Sequence, residues 1–170
     1  MTIDELYHEK AQGGDMAPNM ATLRLYGEIC PRIVEFGTRA GCSTVAFLAG
    51  GAEVWSYDIA PQQFECPGDI AYRWHFTQAD TKLLPDVPEC DLLFIDTIHT
   101  YFQVQAELRF APKAKRFIAL HDTVIYGKTG DDGSLGINLA IFDFLCANPE
   151  WRISFHNNDT WGLTVLEKKP

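Results

Sequence analysis

The chain is poor in basic residues: its 170 residues carry 14 Lys and Arg against 23 Asp and Glu, a formal charge of −9 at pH 7. That balance repels a phosphate backbone and leaves no electrostatic footprint for nucleic acid or an anionic lipid surface. No apolar run approaches the roughly 20 residues needed to cross a bilayer. The start, Met1-Thr2-Ile3-Asp4-Glu5, has no basic segment followed by an apolar one, so no export signal is expected there. Cysteine pairs are lacking too. Cys30, Cys42, Cys66, Cys90 and Cys146 are odd in number and include no CxxC, which speaks against a disulfide framework and for reduced thiols in a cytoplasmic protein. Internal repeats, low-complexity tracts and a linker are likewise missing, so the expectation is one compact domain whose partner is a small neutral or cationic molecule.

What the chain does have is a regular alternation. After a helical N-terminal segment, with helices expected at Ile3 to Lys10 and Ala17 to Ile29, short apolar runs alternate with stretches of helical spacing. That is the pattern of βαβ units around a parallel sheet. Strands are expected at Arg32–Phe36, Glu53–Tyr57, Arg73–Phe76, Asp91–Ile95 and Arg116–Leu120. Helices are expected at Ser43–Ala49, in a short piece of Pro61–Ala71, at Tyr101–Phe110 and at Ile137–Ala147. Trp151–His156 and Trp161–Leu166 flank a turn at Asn157-Asn158-Asp159-Thr160 and read as a closing hairpin. An ordinary dinucleotide-binding domain would continue with parallel units instead.

In open α/β sheets, ligands bind beyond the carboxyl ends of the strands, so the residues that follow each apolar run carry the functional reading. Gly37 and Gly41 bracket Thr38-Arg39-Ala40 before Ser43-Thr44 opens a helix, a turn in which backbone N–H groups can face a ligand. Glu35 beside it would oppose a pyrophosphate and suits the ammonium of an amino-acid tail. Asp58 ends the second strand about 20 residues on, the place for a carboxylate on ribose hydroxyls. Asp80 follows the third strand and can accept from an adenine amino group. Asp96 and Asp122 end neighbouring strands, so their carboxylates can converge on a cation; both also suit helix or turn caps. His121 adds an imidazole to that set and shifts it from magnesium toward manganese, zinc or iron. His99, three residues beyond Asp96, is placed to take a proton from a substrate hydroxyl.

Val34-Glu35-Phe36-Gly37-Thr38, Tyr57-Asp58, Phe94-Ile95-Asp96-Thr97-Ile98-His99-Thr100-Tyr101 and Ala119-Leu120-His121-Asp122-Thr123 resemble the successive motifs of class I S-adenosylmethionine-dependent methyltransferases. More narrowly, they resemble the macrolide-sugar O-methyltransferases and cephalosporin-biosynthesis methyltransferase-like proteins. The resemblance covers about Arg32 to Thr123. It implies a Rossmann-like α/β fold, a mostly parallel seven-stranded sheet ending in an antiparallel hairpin, with residues 1–170 as one methyltransferase domain: a helical segment at 1–30 and a catalytic core at 31–170. It implies Glu35, Gly37, Thr38, Gly41 and Ser43 around the methionine part of S-adenosylmethionine, Asp58 on its ribose and Asp80 near its adenine. Asp96 and Asp122 would hold a divalent cation, magnesium or manganese, with His121 where relatives commonly carry an acid. His99 and Asp96 would be the catalytic pair for O-methylation of a small molecule or sugar, in a protein that can form homo-oligomers. The rivals are an NAD-binding oxidoreductase, which shares the glycine turn and the carboxylate after strand two, and a non-catalytic cofactor-binding module.

Overall fold

The computed structural model describes residues 1–158 and 161–170. Of the expected closing turn, Asp159 and Thr160 lie outside the described residues. Seven strands form one sheet in the order β3-β2-β1-β4-β5-β7-β6: β1 Arg32–Phe36, β2 Glu53–Asp58, β3 Trp74–Gln78, β4 Cys90–Ile95, β5 Ala114–His121, β6 Trp151–Asn157 and β7 Leu163–Lys168. The chain divides into two compact units, Met1–Leu84 and Pro85–Pro170.

In the first unit, β1, β2 and β3 are parallel neighbours, in registers that set Glu35 beside Ser56 and Tyr57 beside Thr77. Helix α1 (Ile3–Lys10) opens with a capping box in which Thr2 and Glu5 satisfy each other's backbone N–H. The segment expected as one helix from Ala17 begins as a 3₁₀ turn, Ala17–Asn19, and continues as α2, Met20–Ile29. Pro18 suits this first turn, where its missing N–H would have had no intrahelical partner. Helix α3 (Cys42–Gly50) runs between left-handed Gly41 and Gly51 and buries Ser43 to Leu48. It packs closely on α2: a Cβ on Gly27 would come within 2.6 Å of the Phe47 carbonyl oxygen.

Helix formation expected within Pro61–Ala71 does not occur. Pro61 and Pro67 each remove an N–H, Gly68 adds backbone entropy, and only a 3₁₀ turn forms afterwards, at Ala71–Arg73. The segment is held by side chains instead. Phe64 is 5% exposed and packs 4.9 Å from Trp74, ring centre to ring centre.

In the second unit, β4 and β5 are parallel and β5, β7 and β6 antiparallel, so the expected terminal hairpin is present. Leu92 to Ile95 and Phe117 to His121 are buried, as are Leu163 to Leu166. The core of this unit is therefore the middle of its sheet, with α4 (Tyr101–Leu108) and α5 (Ile137–Ala147) packed on each other. No helix among the described residues is long and apolar enough to cross a membrane.

Candidate active site

The glycine turn follows β1. Gly37 and Gly41 have φ of 85° and 75°, and Arg39 joins them at 43°. Gly41 is constrained twice over, because its left-handed backbone disfavours a side chain and a Cβ there would lie 2.6 Å from Cγ of Phe64. Asp58, at the end of β2, holds the turn: its Oδ2 accepts from the N–H of Thr38 at 2.7 Å and of Arg39 at 2.9 Å, and its Oδ1 accepts from Ala60 N–H at 2.8 Å. The carboxylate expected at a ribose thus has a structural task as well, and it stays partly exposed.

Glu35 is fully buried. Its Oε1 accepts from the Ser43 hydroxyl at 2.6 Å, and its Oε2 accepts from Thr44 at 2.7 Å and from Ser56. Those contacts tie β1, β2 and the first turn of α3 together, so the acid that the sequence places beside a ligand ammonium spends its hydrogen-bonding capacity on the scaffold. Ser43 is turned the same way. Thr38 differs: its hydroxyl is buried at the turn with no hydrogen-bond partner among the described residues. A buried hydroxyl left unsatisfied is costly, and a polar ligand seated on the turn would relieve it. The open backbone of the turn, the partly exposed Asp58 and this hydroxyl fit a cofactor with hydroxyl and amino-acid groups. Asp80 caps a 3₁₀ turn through Lys82 N–H, 2.9 Å from Oδ1, and remains partly exposed.

The second unit carries the charged cluster. Register pairs Ile95 with Leu120, which sets Asp96 and His121 side by side where β4 and β5 end. Asp122 has φ of 60°. Successive strand residues normally face opposite sides, and this left-handed step lets His121 and Asp122 reach the same point. His121 Nδ1 lies 3.5 Å from Asp96 Oδ1 and 3.1 Å from Asp122 Oδ1; His99 Nε2 lies 3.3 Å from Asp96 Oδ1 and 2.9 Å from Asp122 Oδ2. Asp96, His99 and Asp122 each offer a ligand atom within 4.8 Å of the others. The cluster thus unites all four residues that the sequence placed there. Thr100, not Asp96, caps α4, through Gln103 N–H.

Burial drives the imidazole of His99 toward its neutral form, but hydrogen bonds to Asp122 and Asp96 outweigh it and raise its pKa to about 9. The same contest, with burial opposed first by Asp122 and then by Asp96, raises His121 to about 10. For Asp96, burial acts upward and loses to hydrogen bonds from His121 and His99, which hold it far below the usual carboxylate range. Asp122 is lowered by the same histidines against burial and the nearby Asp96 charge. With both histidines protonated the four charges cancel, and a cation entering the cluster would displace protons. Two carboxylates and two imidazoles are a donor set that fits a divalent metal.

Several contributors carry no local sequence signal. Tyr126 stacks on His99, with ring centres 4.7 Å apart and planes 7° from parallel. Asp131 Oδ2 accepts from His99 N–H at 3.2 Å and lies 3.5 Å from His99 Nδ1. Glu107, fully buried, accepts from Thr97 at 2.8 Å and Gln103 at 2.7 Å. Each joins residues distant in the chain or one helical turn apart, and only the Gln103–Glu107 pair has a local spacing.

Neither a protein-family model nor a curated protein matches the chain. Solved structures do. A cofactor-bound protein from MTB, Rv0187, superposes with a TM-score of 0.71 at 16% identity, covering 98% of this chain and 89% of that one. The fold is the Rossmann-like methyltransferase fold. An O-methyltransferase from Bacillus cereus in complex with S-adenosylhomocysteine matches with a TM-score of 0.64 at 18% identity, over 98% of this chain and 89% of that one. The 1,6-didemethyltoxoflavin-N1-methyltransferase of Burkholderia thailandensis, with its substrate and S-adenosylhomocysteine bound, matches with a TM-score of 0.63 at 13% identity, over 92% and 79%. One neighbour methylates oxygen and another nitrogen, so the fold itself leaves the acceptor atom open.

Proposed function

We propose that this protein is an S-adenosylmethionine-dependent methyltransferase acting on a hydroxyl of a small molecule or sugar, assisted by a divalent cation. The observation that carries the reading is the Asp58-braced glycine turn after β1, in a sheet whose last strands are antiparallel in the order β5-β7-β6. A dinucleotide-binding domain would share the turn but not that ending. The macrolide-sugar subgroup is the narrower form of the proposal, supported by the convergence of Asp96, His99 and Asp122. The proposal takes residues 1–170 as one domain in the cytoplasm.

Gly37, Thr38 and Gly41 would receive the amino-acid end of the cofactor, with Glu35 and Ser43 holding that turn from beneath, Asp58 the ribose and Asp80 the adenine side. S-adenosylmethionine supplies a methyl group already activated on a sulfonium, so the protein's task is to align the acceptor oxygen and remove its proton. Asp96, Asp122 and His121 would hold the cation, which would lower the pKa of a bound hydroxyl. His99 and Asp96 are the groups placed to take that proton. A histidine protonated up to about pH 9 has no lone pair to offer, so His99 serves as base only in the state where its proton has been displaced.

Calorimetry with S-adenosylhomocysteine tests the cofactor assignment. Binding is expected for the native protein and a loss of tenfold or more for Asp58→Ala, with no binding of NAD; unchanged affinity in the variant, or binding of NAD alone, overturns it. Mass-spectrometric detection of a methylated product from a panel of hydroxylated acceptors separates an enzyme from a cofactor-binding module.

A further inference from the structure

We infer that the cluster of Asp96, His99, His121 and Asp122 is a mixed nitrogen and oxygen site selective for a transition-metal ion over magnesium or calcium, with Asp131 as the positioning carboxylate of His99. The inference deepens the cation-assisted reading above and replaces one part of it, since a His99 whose Nε2 is on the ion has no lone pair for the acceptor's proton and leaves Asp96 as the base; it stands or falls separately from methyl transfer.

The geometry points to one ion. Around the cluster the separations are 3.3 Å from Asp96 Oδ1 to His99 Nε2, 2.9 Å from His99 Nε2 to Asp122 Oδ2, 3.1 Å from Asp122 Oδ1 to His121 Nδ1 and 3.5 Å from His121 Nδ1 back to Asp96 Oδ1, so Asp122 meets the two histidines through different oxygens. Ligands about 2.0–2.2 Å from a metal sit roughly 3.0 Å apart along octahedral edges and about 3.3 Å apart along tetrahedral ones. The cluster's separations lie near those edge lengths, with the ligand atoms of Asp96, His99 and Asp122 mutually within 4.8 Å and His121 beside both carboxylates. Two of its four donors are imidazole nitrogens, which magnesium and calcium do not favour and which manganese, iron, cobalt and zinc accept.

A second observation is independent of those edges. A metal-bound histidine commonly offers its other ring nitrogen to a carboxylate, which fixes ring orientation and raises ligand basicity. Asp131 lies 3.5 Å from His99 Nδ1 and also accepts the His99 backbone N–H, while Tyr126 stacks flat against the ring. The His99 backbone is thus held by a hydrogen bond and its ring by stacking, with Asp131 at ion-pair distance from Nδ1 and Nε2 directed at the two carboxylates. Asp131 comes from a turn fastened to itself by Gly130 N–H on the Ser134 carbonyl and Ser134 N–H on Asp132. His121 sits at the end of β5 with its side chain 1% exposed, so its placement is set by the sheet.

The test is a titration of chelator-stripped protein with Co²⁺, followed by its visible absorption. The expected result is one equivalent bound at micromolar concentration, with bands stronger than those of the aqueous ion. Zn²⁺ and Mn²⁺ should displace it, and millimolar Mg²⁺ or Ca²⁺ should not. Nitrogen coupling in the electron spin echo spectrum of the Mn²⁺ form reports the imidazoles directly. His121→Asn and His99→Gln should each remove part of that coupling, and Asp131→Asn, a change at a partly exposed side chain, should weaken Co²⁺ binding about 10- to 100-fold. Magnesium binding as tight as cobalt, absence of nitrogen coupling, or unchanged affinity in Asp131→Asn overturns the proposal, as does failure to retain any ion, which would make the cluster a set of ion pairs only. S-adenosylhomocysteine binding to the same stripped protein keeps the two claims apart: if it binds while cobalt does not, the metal site fails and the methyltransferase reading survives.

Discussion

Two buried polar clusters, one in each unit, are built on opposite terms. Around Glu35, three neutral hydroxyls from Ser43, Thr44 and Ser56 point at one carboxyl group and meet its demand for donors. At the ends of β4 and β5, two acids and two histidines crowd together with charge opposing charge. The first cluster is closed and holds elements in place. The second depends on two bound protons for its balance. Burial alone does not separate structure from function here; the kind of partner does.

The largest expected effect tests the closed cluster. Glu35→Ala leaves three hydroxyls without an acceptor in the core of the first unit and should cost about 3–5 kcal/mol in urea unfolding. A loss below about 1 kcal/mol would mean that the hydroxyls find other partners and that the contrast is weaker than drawn. The open cluster should respond to pH instead. In chelator-treated protein, His99 and His121 titrate at about 9 and about 10, above the ordinary 6.5 of an unfolded histidine. Their contribution to stability is then complete below about pH 6.5 and disappears as pH rises through 9 and 10. The thermal midpoint should fall by several degrees between pH 7 and pH 10.5, and His121→Asn should flatten that fall. A midpoint insensitive to pH over this range would break the comparison.

A smaller effect concerns the glycine turn proposed to receive the cofactor. Gly41→Ala forces a side chain into left-handed backbone against Phe64 and should cost about 1–3 kcal/mol, with a matching loss of S-adenosylhomocysteine affinity in calorimetry. The smallest serves as the reference for an exposed ion pair. Arg152 and Glu167 meet at 2.8 Å with both side chains open to solvent, and Arg152→Ala should change stability by less than about 0.5 kcal/mol.

Much of this architecture was legible in the chain. Strand ends are marked by acids, and the acids at the ends of β2, β4 and β5 were found because an apolar run that stops at Asp has little else to signify in an α/β pattern. In the 61–71 segment the spacing admits a helix while Pro61, Pro67 and Gly68 do not. Glu35 was legible as a special position but not as a scaffold residue, since Thr44 and Ser56 meet it only once α3 and β2 fold against β1. Asp131 carries no local mark: it stands 32 residues from His99 and meets it only once the chain folds.

The left-handed backbone at Asp122 separates two properties that usually travel together. Asparagine adopts that conformation readily and nearly matches aspartate in size, so Asp122→Asn keeps the bend and removes one charge. Valine keeps neither, because a branched Cβ resists φ of 60°. The pair forms a ready-made dissection at one position: the asparagine protein should remain folded with an altered ion preference, and the valine protein should lose the convergence of His121 with its neighbours altogether.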